Sequence, residues 1–214
     1  STDERFRPVQ AADGPDGALY VVDMYRGIIQ HTSFLTHYLI ANIEARKLEE
    51  PFDRGRIWRI VADSKDRPQP VKLPTTAADR VAMLSHPNGW VRDTAQRLLV
   101  EAGGAQAVPA LTKALQDAKA APLARLHALW TLDGLTRFTP DLARAAMHDT
   151  DARVRAAAVR VASRELAPDL IALTSEEDIT VLAQLAIKLT SLNLPEADAA
   201  AAKLLAQHAG NTLI

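Results

Sequence analysis

Asp151-Ala-Arg-Val-Arg-Ala-Ala-Ala-Val-Arg-Val-Ala162 is the stretch that decides the fold. Val154, Ala157, Ala158, Val161 and Ala162 stand at i, i+3, i+4, i+7 and i+8, which places them on one stripe of a helix. The stripe recurs upstream as Val91, Thr94, Ala95, Leu98, Leu99 and as Ala124, His127, Ala128, Thr131, Leu132. A weaker copy follows as Leu182, Leu185, Ala186, Leu189. The starts lie 33, 30 and 28 residues apart (91 to 124, 124 to 154, 154 to 182). A shorter helical stretch precedes each, at about 77–85, 107–117, 140–147 and 167–174, and a last helix is predicted from Glu196 to His208. Two helices in a unit of roughly 30 residues, repeated, define an α-solenoid, in which each unit buries one face on its neighbour. The stripes assign Val91, Leu98, Leu99, Ala128, Leu132, Val154, Ala158, Val161 and Leu185 to the core. Their alanines allow close approach of adjacent helices.

Start signals agree with this segmentation. Thr76-Ala-Ala-Asp79 is a loose capping box, and Thr139-Pro140 is an N-cap followed by proline at the first helical position. Pro109, Pro122 and Pro168 stand near other helix starts, and Asn88 and Asp151 can cap the second helices of their pairs.

Working outward, the grammar changes before residue 63. Pro8-Val-Gln-Ala-Ala-Asp13 and Ala18-Leu-Tyr-Val-Val-Asp23 are strand-like runs flanking Gly14-Pro-Asp-Gly17. Pro15 presets its φ and Gly17 can take a positive one, so residues 8–23 form a hairpin. Ser33 to Leu48 has helical spacing, with Leu35, Tyr38, Leu39 and Ile43 on one face. Gly55-Arg-Ile-Trp-Arg-Ile-Val61 is a third strand, expected to return to the hairpin. Three strands with so little to pack on read as the end of a larger β-structure with an open edge. Asp63-Ser-Lys-Asp-Arg-Pro-Gln-Pro70 is polar with two prolines and reads as a linker. The expected organisation is α+β: residues 1–62 as the strand-rich segment with an inserted helix, 63–75 as linker, and 76–214 as the solenoid.

Composition bounds the function. The 25 basic and 26 acidic residues nearly cancel over 214 residues, which excludes a nucleic-acid binder that relies on net positive charge. The chain has no cysteine, so disulfides, thiolate catalysis, cysteine zinc sites and covalent c-type haem attachment are absent from it. No apolar run approaches the ~20 residues that span a bilayer. The chain begins at Ser1 without a leader sequence and reads as a piece of something longer.

Asp13-Gly-Pro-Asp-Gly-Ala-Leu-Tyr-Val-Val-Asp-Met-Tyr-Arg-Gly-Ile-Ile-Gln-His31 and Gly55-Arg-Ile-Trp-Arg-Ile60 resemble the closing blade of the glucose/sorbosone-dehydrogenase-like β-propellers. More closely, they are similar to the large exported proteins of the membrane-bound dehydrogenase family. Leu84-Ser-His-Pro-Asn-Gly-Trp-Val-Arg-Asp-Thr-Ala-Gln-Arg-Leu-Leu99 and Leu123-Ala-Arg-Leu-His-Ala-Leu-Trp-Thr-Leu-Asp-Gly-Leu135 resemble the first HEAT repeats of that family, and Asp151-Ala-Arg-Val-Arg-Ala-Ala-Ala158 is a general HEAT signature. The resemblance covers residues 5–165 well and the remainder loosely. It implies a propeller-to-HEAT junction from a periplasmic or otherwise exported sugar- or alcohol-dehydrogenase-like protein. Haem c and a quinone such as PQQ would then be the parent's cofactors, with none in this segment. The HEAT part would hold a protein partner or neighbouring domain. The other readings are a non-catalytic carbohydrate- or protein-binding HEAT protein, and a plain interaction solenoid capped by strands.

The candidate site residues are few. Asp23, Tyr25 and Arg26 sit at a strand end and could hydrogen-bond a sugar, alcohol or quinone carboxylate, with His31 as a base. The structural alternative is an Asp–Arg pair locking the segment, with Tyr25 beneath it. Asp13, Asp16 and Asp23 surround the hairpin turn without the spacing of a calcium loop, and no metal site is expected. No two histidines stand at i, i+4. His127 belongs to a buried stripe, while His86 and His148 belong to turns. Trp90 and Trp130 either pack between repeats or join Arg92 and Arg125 in an exposed recognition surface. Arg153, Arg155, Arg160 and Arg164 flank an apolar stripe, as a solvated face or as a dock for an acidic partner.

Overall fold

The structure is a computed structural model that describes residues 2–63 and 69–210. The chain divides into two compact units, Ser1–Lys72 and Leu73–Ile214. Residues 64–68 of the expected linker lie outside the described residues, and 69–75 form neither helix nor strand.

In the first unit β1 (Pro8–Asp13), β2 (Leu19–Asp23) and β3 (Arg56–Ile60) form an antiparallel sheet in the order β1-β2-β3. The hairpin turns as the sequence requires. Gly17, at φ 70°, donates its N–H to the Gly14 carbonyl at 3.0 Å, and Asp13 faces Leu19 across the pair. The returning strand sets Leu19 opposite Ile60 and Asp23 opposite Arg56. Because β2 is central, both β1 and β3 are outer strands among the described residues, where one open edge was expected.

The inserted helix differs from its sequence reading. Thr32–Phe34 is a single 3-10 turn, and α1 (His37–Arg46) starts four residues after Ser33. Thr36 stops the helix from extending upstream, since its hydroxyl accepts the Leu39 N–H as an N-cap. Of the expected apolar face only Ile43 is buried, whereas Tyr38 is 75% exposed. Ala18, Val21 and Ile43 are the buried apolar side chains among the described residues of this unit.

The second unit consists of helix pairs. They are α2 (Ala77–Met83) with α3 (Gly89–Glu101), α4 (Val108–Gln116) with α5 (Pro122–Gly134), α6 (Pro140–Ala146) with α7 (Ala152–Val161), and α8 (Ala167–Ala172) with α9 (Ile179–Ser191). α10 (Pro195–Gln207) packs on α9. The second helices form a row, α3 on α5, α5 on α7 and α7 on α9. Caps act where the sequence places them. Thr76 accepts from Asp79 N–H, Asn88 from Trp90, Thr139 from Leu142 and Asp151 from Arg153.

The stripes build the core. Ala95, Ala128 and Ala158 are fully buried, one each on α3, α5 and α7, so neighbouring backbones approach closely. Gly134 shows how closely, because a Cβ there would lie 2.9 Å from Val100 Cγ2. Val91, Leu99, Leu132, Val154 and Leu185 are buried as expected. Leu98 and Val161, both at i+7, are half-buried instead, although Thr131 and Leu189 at the same position of their stripes are fully buried.

Candidate functional site

The arginines of the second helices separate into two groups. Arg92, Arg125 and Arg155 each follow the first stripe residue of their helix, so they leave the helix beside the turn that joins its pair. Arg92 donates to the carbonyls of His86 and Pro87, and Arg155 to those of Asp149 and Thr150. Arg125 donates to the Ala120 carbonyl and the Thr150 hydroxyl, and forks onto both Asp149 carboxylate oxygens at 2.8 and 2.7 Å. Arg155 grips both Glu176 oxygens at 2.8 and 3.0 Å in the same way. Each of these two bridges ties the start of a second helix to the turn of the following repeat.

The electrostatics follow. Burial alone would raise the Asp149 carboxyl, but the Arg125 fork and the Asp151 amide hold it below the ordinary carboxylate range. The Arg155 hydrogen bonds hold Glu176 low against its own burial. Arg153 closes onto its own cap residue, and that bond lowers Asp151 to about 2. Arg125 is only 2% exposed. It therefore has no place in a recognition surface.

His127 is satisfied, as its stripe position suggested. Arg92 Nε donates to Nε2 at 3.2 Å, which leaves Nδ1 to donate to Gln96 Oε1 at 2.8 Å. Burial lowers its pKa, with Asp93 opposing and Arg92 reinforcing the shift. His86 Nδ1 accepts the Asn88 amide within its turn, and His148 is exposed.

Outside this internal stitching lies a groove of about 470 Å³ between α3 and α5, lined by Asp93, Gln96, Arg97, Val100, Glu101, Trp130 and Gly134. Trp130 is half-buried, packed against the core on one side and open to the groove on the other. The exposed Arg160 sets its guanidinium carbon 5.7 Å from the Trp130 ring centroid. Lys188 Nζ donates to the Arg160 carbonyl at 3.2 Å. One continuous surface thus runs across α3, α5, α7 and α9.

The strand-end residues of the first unit sit differently. Asp23 is buried, and its Oδ1 accepts the Arg7 and Tyr25 amides at 2.8 and 2.9 Å. Its Oδ2 accepts Trp58 Nε1 at 3.0 Å and lies 3.8 Å from Arg56 Nε. Burial favours the neutral acid, yet these donors together lower its pKa. Tyr25 takes φ 48°, a region that a bulky residue adopts only when held there, and the Asp23 bond to its amide holds it. Its ring lies 3.6 Å beneath the Arg56 guanidinium. The Asp–Arg pair of this region is thus Asp23 with Arg56, while Arg26 stacks over Phe52 at 4.7 Å. His31 is exposed, its Nδ1 accepting the Ser33 amide. The structure gathers Asp23 and Tyr25 around Arg56 and does not bring Arg26 and His31 onto them.

Asp16 is likewise internal. It accepts from the Ala18 amide and from Arg59 Nε at 2.6 Å. Among the described residues no group of three or more His, Asp or Glu side chains could hold a metal ion, and no helix is long and apolar enough to cross a membrane.

A row of paired helices, stitched internally and presenting one side-chain surface, defines a helical-repeat scaffold. Residues 77–163 match the family model for HEAT repeats. Residues 1–64 match the model of a domain of unknown function, DUF7133. Neither description mentions a dehydrogenase or a propeller. No curated protein matches the chain, and no solved structure does.

Proposed function

We propose that the HEAT unit is a docking scaffold that holds a protein partner or neighbouring domain on its row of second helices. The carrying observation is the division among its arginines. Arg125 and Arg155 are spent on carboxylates of the following repeat, whereas the exposed Arg160 lies over the half-buried Trp130 and the half-buried Lys188 reaches only the Arg160 carbonyl, neither cation being ion-paired to a carboxylate among the described residues. Rigid presentation of a side-chain surface is what repeat arrays offer a partner.

The finer reading places this scaffold behind the closing-blade segment of a β-propeller in an exported, haem-linked dehydrogenase-like protein. The sheet supports it. Both outer strands lack a further strand among the described residues, and Leu19, Ile57, Trp58 and Ile60 remain 40 to 67% exposed. That is the condition of a blade whose neighbours supply its cover. Haem c and a quinone such as PQQ would belong to other segments of the parent, because this chain has no cysteine for covalent haem attachment. Asp23, Tyr25, Arg26 and His31 would lie toward the parent's ligand-facing rim.

A second reading, a non-catalytic carbohydrate- or protein-binding HEAT protein, is favoured by Asp23. Both of its oxygens are engaged by internal donors, as in a structural lock. The coding sequence on either side of this chain separates the readings. Further blade repeats upstream and a Cys-x-x-Cys-His downstream are expected for the dehydrogenase-like parent. Blades without a haem motif would favour the binding protein. An upstream sequence with no further strands would contradict both propeller readings.

A further inference from the structure

Along the row of second helices some charges are paired with a carboxylate and others are not. On α3, Arg97 closes onto Glu101 at 3.0 Å, and Asp93 lies 4.0 Å from His127 Nε2. Arg125 and Arg155 have their own carboxylates. Arg160 and Lys188 are different, because among the described residues neither is ion-paired to a carboxylate. Partial burial lowers the Lys188 ammonium below its usual range, with no acid offsetting that effect. Two cations without a carboxylate partner thus follow the groove along the row: Arg160, held against the indole that lines it, and then Lys188, which reaches the Arg160 carbonyl.

We propose that this patch docks an acidic peptide segment of a partner protein, with one apolar side chain in the α3–α5 groove against Trp130 and carboxylates on Arg160 and Lys188. The proposal rests on the scaffold reading and names the chemistry of its partner. Three features favour that chemistry over a neutral or basic segment. Carboxylates would supply the counter-charge that the fold leaves out, and Arg160 in particular presents a planar fork suited to them. The groove is apolar at Val100 and Trp130, so it suits one apolar anchor. On the groove's polar rim Glu101 is matched by Arg97, while the exposed Asp93 is not, so the acidic run must leave the groove toward Arg160. The dimensions also fit. Neighbouring helices pack ~8–10 Å apart, so an extended chain rising ~3.3 Å per residue crosses from the groove to Lys188 in about six residues.

The test uses the whole chain and a fluorescein-labelled peptide of about ten residues, one Phe followed by a run of Glu, read by fluorescence anisotropy at low salt. Binding is expected. It should weaken about tenfold or more in the Arg160→Glu, Lys188→Glu double variant. It should weaken severalfold when the peptide's Phe is replaced by Ala, and with added salt. The Lys113→Glu, Lys203→Glu double variant, with the same charge change at exposed positions on α4 and α10, should bind like the unchanged chain. Circular dichroism confirms that each variant is folded. No binding by the unchanged chain, equal weakening in both double variants, or equal binding of a Lys-for-Glu peptide would overturn the proposal. Tighter binding of single-stranded nucleic acid through the same two residues would also overturn it. A partner protein held equally well by the Arg160→Glu, Lys188→Glu variant would sink this patch and leave the scaffold reading standing.

Discussion

On α9, Leu182, Leu185 and Leu189 are enclosed to within 1% of full burial, while on β3 Ile57 and Ile60 stay 67% and 53% exposed. Both sets are branched aliphatic residues in regular structure. The helix has a neighbouring repeat on which to lay its stripe, whereas the sheet has apolar residues on both faces, of which the described residues cover Val21 but leave Leu19, Ile57 and Ile60 exposed. Polar interactions compensate in the first unit. Asp16 and Asp23 are buried carboxylates that gather backbone amides, arginines and Trp58, so the sheet is pinned by hydrogen bonds more than by a core. In the HEAT unit half-buried carboxylates have another task, since Asp149 and Glu176 bind one repeat to the next.

This contrast can be broken by mutation, most severely at the repeat junction. Asp149→Ala leaves Arg125 buried without its counter-charge, which should cost about 3–5 kcal/mol of HEAT-unit stability in urea unfolding. Leu185→Ala should cost about 2–5 kcal/mol. The same truncation at Ile57 should stay within about 0.5 kcal/mol, and a large loss there would mean that the sheet face is covered. Asp23→Ala strands the Arg7 and Tyr25 amides and the Trp58 indole N–H, and should destabilise the first unit by about 1–3 kcal/mol without moving the HEAT transition.

The smallest effect is a pH dependence of the HEAT unit. His127 has a lowered folded pKa, so the unfolded chain takes up its proton first. Stability is therefore full above the unfolded value of 6.5 and declines as pH falls below it. Denaturation midpoints at pH 7.5 and 5.5 should differ more for the unchanged chain than for His127→Gln. Equal differences would remove His127 from the account. Below about 4.5 a second decline follows, as Glu176 and then Asp149, both depressed by their arginines, take up protons more readily unfolded than folded.

Much of the HEAT unit was legible because its signals are local. A stripe at i, i+3, i+4, i+7, i+8 and a cap such as Thr139-Pro140 are read within a dozen residues, and the structure places helices on them. The stitching arginines were not legible, since Asp149 and Glu176 lie 24 and 21 residues from Arg125 and Arg155. A signal did exist: arginine recurs directly after each of the first three stripe starts, at 92, 125 and 155. Apolar periodicity also misled at α1. Leu35, Tyr38 and Leu39 share a face that nothing described in the first unit buries, because periodicity records what a helix could bury and says nothing of what lies opposite. At the strand end the sequence suggested an Asp–Arg pair, yet the partner is Arg56, brought in by the β2–β3 register instead of by adjacency.

Native-state amide hydrogen exchange on the intact chain tests most directly the central claim, that the HEAT unit has a closed core while much of the sheet's apolar surface is open. The expected result is slow, cooperative exchange for the amides of α3, α5, α7 and α9, and exchange on β1, β2 and β3 faster by about a hundredfold or more. Equal protection of the strands and the second helices would contradict the claim.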